Sequence, residues 1–276
     1  MKISNHLLYG NDNKQVEFRE TPNKKGKLDP QYLVMHYTAA TEAKGSVSWL
    51  TSKQANASAH LIIDRDGSII QLAPFNIITW HAGKSQWNNL TGLNKYAIGI
   101  ELVNGGRLFK TAAGWICPVD KKALPDNEVI IARHKNDQVE TGWHIYPEVQ
   151  LQRAIEVATE LVKTYKLKDV VGHDDIAPYR KSDPGPAFPM HSFRSKVMGR
   201  KENVPELFKT TTDLNIRVGP GSAFSTITEK PLPKNTLVEI IKKEGNWSFV
   251  EVQDTVHGLN DLEGWVYSKY LAATHN

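Results

Sequence analysis

The chain has 276 residues, 40% apolar and 23% charged, which is ordinary for a globular protein, and no apolar run approaches the length that spans a bilayer. One cysteine, Cys117, excludes an intrachain disulfide and a multi-cysteine zinc finger, so any metal must rest on histidine and carboxylate. From Asp213 onwards six Lys/Arg face eight Asp/Glu, so the net charge of +4 belongs to residues 1–212; that suits an anionic polymer, but no basic run interleaved with aromatics points to nucleic acid.

The first thirty residues hold only the apolar patch Leu7, Leu8 and Tyr9, too short for the core of a secretory signal. Export by lysis, by a secretion system or after trimming of a signal are the expectations if the protein works outside the cell. "YLVMHYTA" (32–39) reads as a buried strand with His36 near its end, and residues 41–54 as a short helix with Val47 and Leu50 on one face. "AHLIIDRDGSIIQLAP" predicts a hairpin turning at Asp64–Gly67. In the strand "AIGIELVN" (97–104), alternation puts Ile98, Ile100 and Leu102 on one face and Gly99, Glu101 and Val103 on the other. Residues 105–147 read as a long irregular region, the lid or wall of a cleft. Pro147-Glu148 opens a helix in which Val149, Ala154, Val157, Leu161 and Val162 fall near helical spacing. Trp80 reads as core. The expectation is an α/β domain with a mixed central β-sheet flanked by helices.

After about residue 195 the texture changes to short β-prone runs broken by Gly, Pro and Asn, which predicts a small all-β barrel. "LNIRVGPG", "GNWSFVEV" and "GWVYSKYL", in that order, resemble a bacterial SH3 module. The expected division is residues 1–194, a linker over 195–212, and the SH3-like module over 213–276.

"VVGHDDIAPYRKSDPGPAFP" (170–189) is too proline-rich for a helix. Its prolines stiffen a loop that could hold His173 and Asp183 at fixed separation, and with His36 these offer a metal two nitrogens and one oxygen. Spacing alone leaves them among ten histidines and thirty carboxylates.

"VMHYTA", "ASAHLIIDRDGSIIQLAP", "WHAG", "AIGIELVN" and "VGHDDIAPYRKSDPGPAF" together resemble the zinc-dependent N-acetylmuramoyl-L-alanine amidases of the type 2 amidase family. The resemblance implies a zinc ion (Zn2+) on His36, His173 and Asp183, with Glu101 as catalytic carboxylate and Lys181 stabilising the transition state. His60 and His81 are implied near the substrate cleft, as substrate contacts or packing residues. The phage lysozyme branch carries cysteine as third ligand and tyrosine before the hairpin histidine; Asp183 and Ala59 stand here, which favours the AmpD/AmiD branch. The implied partner is peptidoglycan or muropeptides, cut at the bond between N-acetylmuramic acid and L-alanine, in the periplasm or outside the cell, as in a phage-type endolysin. Oligomeric state stays open.

Asp174 reads as a cap for the following turn, and His134, His144, His191 and His257 as surface or loop residues. A non-catalytic peptidoglycan-recognition protein is the competing function, set against a full ligand set. A protein-cleaving metallopeptidase lacks its His-Glu-x-x-His helix.

Overall fold

Tyr32–Tyr37 (YLVMHY) and Ala97–Leu102 (AIGIEL) are short apolar runs buried on both faces, the pattern of central parallel strands. The computed structural model describes residues 1–198, 207–259 and 262–274, and the chain divides into two units, Met1–Arg200 and Lys201–Asn276.

The first unit is built on a six-stranded mixed sheet of β1 (Glu17–Phe18), β2 (Tyr32–Tyr37), β3 (Leu61–Ile63), β4 (Ile69–Gln71), β5 (Ala97–Leu102) and β6 (Asp169–Gly172), in the order β6-β2-β5-β3-β4-β1. Strands β6, β2, β5 and β3 run parallel, and β3 and β4 form the expected antiparallel hairpin with Ile62 opposite Ile70. Gly67, at φ +84°, lets its amide reach Asp64 O at 3.0 Å and close that turn. Helices α2 (Glu148–Tyr165) and α3 (Met190–Val197) cover one face, packing Val157, Leu161 and Phe193 on Met35, Ile98 and Ile100. On the other face α1 (Ala43–Leu50) packs Leu50 near Ile62 and Val103.

Three expectations change here. Val149 is 47% exposed, and the buried place in the first turn of α2 goes to Gln150, whose Nε2 donates to Ile63 O and Val103 O at 3.0 Å each. Ile63 O already accepts from the Val103 amide at 2.9 Å, but Val103 O lies just beyond the end of its strand and needs a donor, so a polar side chain outcompetes an apolar one. Residues 105–147 are not irregular: they hold a meander (Phe109–Thr111, Gly114–Ile116, Ala123–Leu124) and a hairpin (Val129–Arg133 with Glu140–His144). Ile130 and Ile131 both stay exposed, which erases the alternation by which a strand is recognised. Trp80 is half-buried rather than core.

The second unit is a five-stranded antiparallel sheet of β7 (Leu207–Thr210), β8 (Leu237–Glu244), β9 (Trp247–Val252), β10 (Glu263–Tyr267) and β11 (Leu271–Ala273), ordered β10-β9-β8-β7-β11. Its core is aliphatic, centred on Ile216, Leu232, Val238, Val250 and Val266. The sheet is open, and no closed barrel is found among the described residues: the run from Leu214 to Gly221 contributes only single bridges, Leu214 to Leu232 and Arg217 to Thr226 and Trp265. Of the linker expected over 195–212, α3 claims residues up to Val197 and β7 claims 207–210, while 199–206 lie outside the described residues.

Candidate metal centre

Three parallel strands deliver the site at their carboxyl ends, where open α/β sheets place ligands. His36 is the penultimate residue of β2, Glu101 lies beside it in register on β5, and His173 follows directly on β6. Asp183 comes from the proline-rich loop, whose Asp174 N–H donates to Asp183 O at 2.8 Å. Gly172 starts the helical turn His173–Ile176, and the Gly172 amide donates to Asp175 Oδ2 at 2.7 Å; the capping carboxylate is Asp175, not Asp174.

His36 Nδ1 stands 2.9 Å from His173 Nδ1 and 2.9 Å from Asp183 Oδ2, and His173 Nδ1 stands 2.8 Å from Asp183 Oδ2. All three residues are buried. Their partners fix the tautomers. His173 Nε2 donates to Ala82 O at 3.1 Å, which leaves its Nδ1 as a lone pair. His81 Nε2 donates to Ala97 O at 3.0 Å, so His81 Nδ1 is the acceptor for His36 Nε2 at 2.9 Å, and His36 Nδ1 is a lone pair as well. Two imidazole lone pairs and a carboxylate oxygen therefore converge with no proton assigned between them, a cluster that a cation satisfies. This group could hold a metal ion, and its donor set of two nitrogens and one oxygen leaves a tetrahedral ion one open position. Burial, with His173 beside it, lowers the His36 pKa to about 4 against the pull of Asp183. Burial alone would raise the Asp183 carboxyl, but His173 and His36 hold it well below the ordinary range.

Glu101 keeps one carboxylate oxygen, Oε2, enclosed and without a hydrogen-bond partner. Burial, reinforced by the charge of Asp183, pushes its pKa well above the usual value, and Lys181 pulls the other way. Lys181 itself is exposed, close enough for its charge to act on both Glu101 and His36.

His60 and His81, implied by the resemblance near the substrate cleft, are both buried with their ring nitrogens hydrogen-bonded. His60 is 0% exposed, its Nδ1 accepting from Gly99 N at 3.0 Å and its Nε2 donating to Ile77 O at 2.9 Å, so no polar group is left to offer. His81 spends both nitrogens, one on His36. Gly99 makes room for it: a Cβ there would stand 2.5 Å from His81 Cγ. His134 and His144 are also buried, against expectation, and donate to Asp174 Oδ2 and Glu128 Oε2. His191 and His257 are exposed. Three further ties on the ligand loop escaped sequence reasoning: Tyr37 Oη to Ser182 Oγ at 2.8 Å, Tyr146 Oη to Pro184 O at 2.8 Å, and Arg180 Nη2 to Ala82 O and Lys84 O at 2.9 and 2.7 Å. Only the position of Tyr37 next to His36 could have signalled one of them.

Residues 26–186 match the family model described as N-acetylmuramoyl-L-alanine amidase (Amidase_2). The chain belongs to this family. The matched window contains His36, Glu101, His173, Lys181 and Asp183 and ends before the second unit. Among curated relatives, the N-acetylmuramoyl-L-alanine amidase AmiD of Escherichia coli (strain K12) is 32% identical over 60% of this chain and 53% of its own length. The 1,6-anhydro-N-acetylmuramyl-L-alanine amidase AmpD of the same strain is 34% identical over 51% of this chain and 58% of its own. The chain thus spans little more than half the length of either. A solved complex of E. coli AmiD with anhydro-N-acetylmuramic acid-L-Ala-D-gamma-Glu-L-Lys aligns at 30% identity with 68% of this chain and 65% of that one, at a TM-score of 0.47.

Proposed function

We propose that this chain is a zinc-dependent amidase that hydrolyses the bond between N-acetylmuramic acid and the L-alanine of the stem peptide. The observation that carries the reading is the convergence of two imidazole lone pairs and a carboxylate beside a buried, unpartnered Glu101 oxygen. His36, His173 and Asp183 would hold the zinc, which when bound supplies the Lewis acidity that makes a water nucleophilic near neutral pH. Glu101, its pKa raised, accepts the proton of the attacking water and returns it to the departing alanine nitrogen. Lys181 places positive charge where the carbonyl oxygen becomes negative. No covalent intermediate is needed, and Cys117, buried with its thiol pKa pushed up to about 11, has no part. On this reading His81 supports His36, and His60 packs beside the His81 ring, rather than either contacting the substrate. The names of the AmiD and AmpD relatives support muropeptides as the substrate class.

The second unit reads as an SH3-like module that holds the enzyme on the wall. A cavity of about 850 Å³ in it is lined by Trp247, Tyr267 and Tyr270 together with Asp213, Asn215 and Arg217, a place for wall peptide or glycan. On this reading the enzyme acts on the cell wall, in the periplasm or outside the cell, in an endolysin-type role. No described helix is long and apolar enough to cross a membrane.

The test is to incubate the protein with intact sacculi and with soluble muropeptides, with and without chelator, and to identify products by mass spectrometry. Stem peptides beginning with L-alanine are expected, absent with chelator and reduced roughly 10²–10⁴-fold in Glu101→Gln. Zinc binding and sacculus retention without any peptide release would make this a recognition protein instead.

A further inference from the structure

His134 lies in the turn of the hairpin Val129–Arg133/Glu140–His144, where side chains ordinarily face water, yet it is 3% exposed. Its Nδ1 accepts from Asn136 N at 3.2 Å, so the proton sits on Nε2 and is donated to Asp174 Oδ2 at 2.9 Å. The next residue, Lys135, bridges Asp174 Oδ1 at 2.9 Å and Asp175 Oδ1 at 2.5 Å. A buried carboxylate is costly unless its oxygens are satisfied, and here the hairpin satisfies both of those on Asp174.

Asp174 follows the ligand His173 and donates its amide to the carbonyl of the ligand Asp183. The hairpin reaches the far end of the loop as well. The Trp143 ring, stacked on His134 at 5.7 Å and 24°, lies so close to Gly185 that a Cβ there would stand 2.6 Å from it, two residues past Asp183. One stack of two rings thus meets the loop just after the first ligand, at Asp174, and just past the second, at Gly185.

We infer that this hairpin is a clamp on the metal loop and that His134 and Lys135 are positioning residues, holding His173 and Asp183 at the separation the ion requires. The inference rests on the metal reading proposed above. Neither residue touches the ligand atoms. Their effect passes through the Asp174 carboxylate and backbone, as outer partners of metal ligands act elsewhere.

The experiment uses the full chain and compares wild type with His134→Ala, His134→Gln and Lys135→Met. Zinc affinity is measured by competition with a chromophoric chelator, the cobalt(II) form by its visible absorption, and folding by thermal melting of the metal-free protein. His134→Ala is expected to bind zinc about 10–100-fold more weakly with an altered cobalt spectrum. His134→Gln, which keeps an N–H donor, restores most of both. Lys135→Met, at a side chain 46% exposed, weakens zinc several-fold without loss of folding and decides the matter should His134→Ala not fold. Wild type that binds zinc alongside Lys135→Met and a folded His134 variant within two-fold of it, with unchanged cobalt spectra, overturns the clamp alone. Wild type that takes up neither metal overturns the metal reading and the clamp with it.

Discussion

An imidazole can present a lone pair at one nitrogen reliably only if the other is held, and in this protein a second imidazole does the holding for His36. His81 is pinned by Ala97 O and has room for its ring only because residue 99 is glycine. In His81→Ala the His36 Nε2–H loses its buried acceptor and the tautomer is free to change. Metal affinity is expected to fall about 10–100-fold, measurable by chelator competition, and Gly99→Ala should fall in the same direction because its Cβ displaces the His81 ring. Loss in neither variant would show that His36 needs no such support. Convergence of His36, His173 and Asp183 is legible in the motifs that carry them. The supporting roles of His60, His81, His134 and His144 are not, because each is set by a partner 16 or more residues away that no local pattern announces.

At the scale of the element, α2 shows how a helix can be docked by one polar residue. The apolar stripe Ala154, Val157 and Leu161 seats it on the sheet, and Gln150 joins its first turn to the ends of β3 and β5. Gln150→Leu keeps the volume but leaves Val103 O unpaired in the interior, while Ile63 O keeps the Val103 amide at 2.9 Å. An orphaned acceptor costs about 1–3 kcal/mol, so a drop in denaturant midpoint of corresponding size is expected, whereas an unchanged midpoint would mean water takes the place of the amide. The helix and the β3–β4 hairpin follow from sequence because 3.6-residue and two-residue periods, and an Asp-Gly turn, are local properties. The strands of the 105–147 insertion are legible only from their pairing, since Ile130 and Ile131 break the alternation.

For the molecule as a whole, buried neutral histidines set the acid limit. Burial holds His60 at about 4, and burial together with Arg65 holds His144 at about 4 despite Glu128, against 6.5 for a free imidazole. Both stay neutral when folded and bind protons on unfolding, so their stabilisation is whole above pH 6.5 and drains as pH falls from there towards 4. Each contributes up to about 3 kcal/mol on this reckoning. Melting the metal-loaded protein across that range should show a steep fall, shallower in His144→Asn, and a flat profile would contradict it.

Strands β2 and β6 are hydrogen-bonded neighbours although His36 and His173 are 137 residues apart along the chain. The exposed tip Ala112–Ala113 of the meander lies between them in sequence. A polypeptide severed there would put His36 and Glu101 on one fragment and His173, Lys181 and Asp183 on the other, with every ligand intact and no fragment able to gather three. Uptake of metal by the mixed halves would then report their reunion, which makes the centre a built-in sensor for fragment complementation.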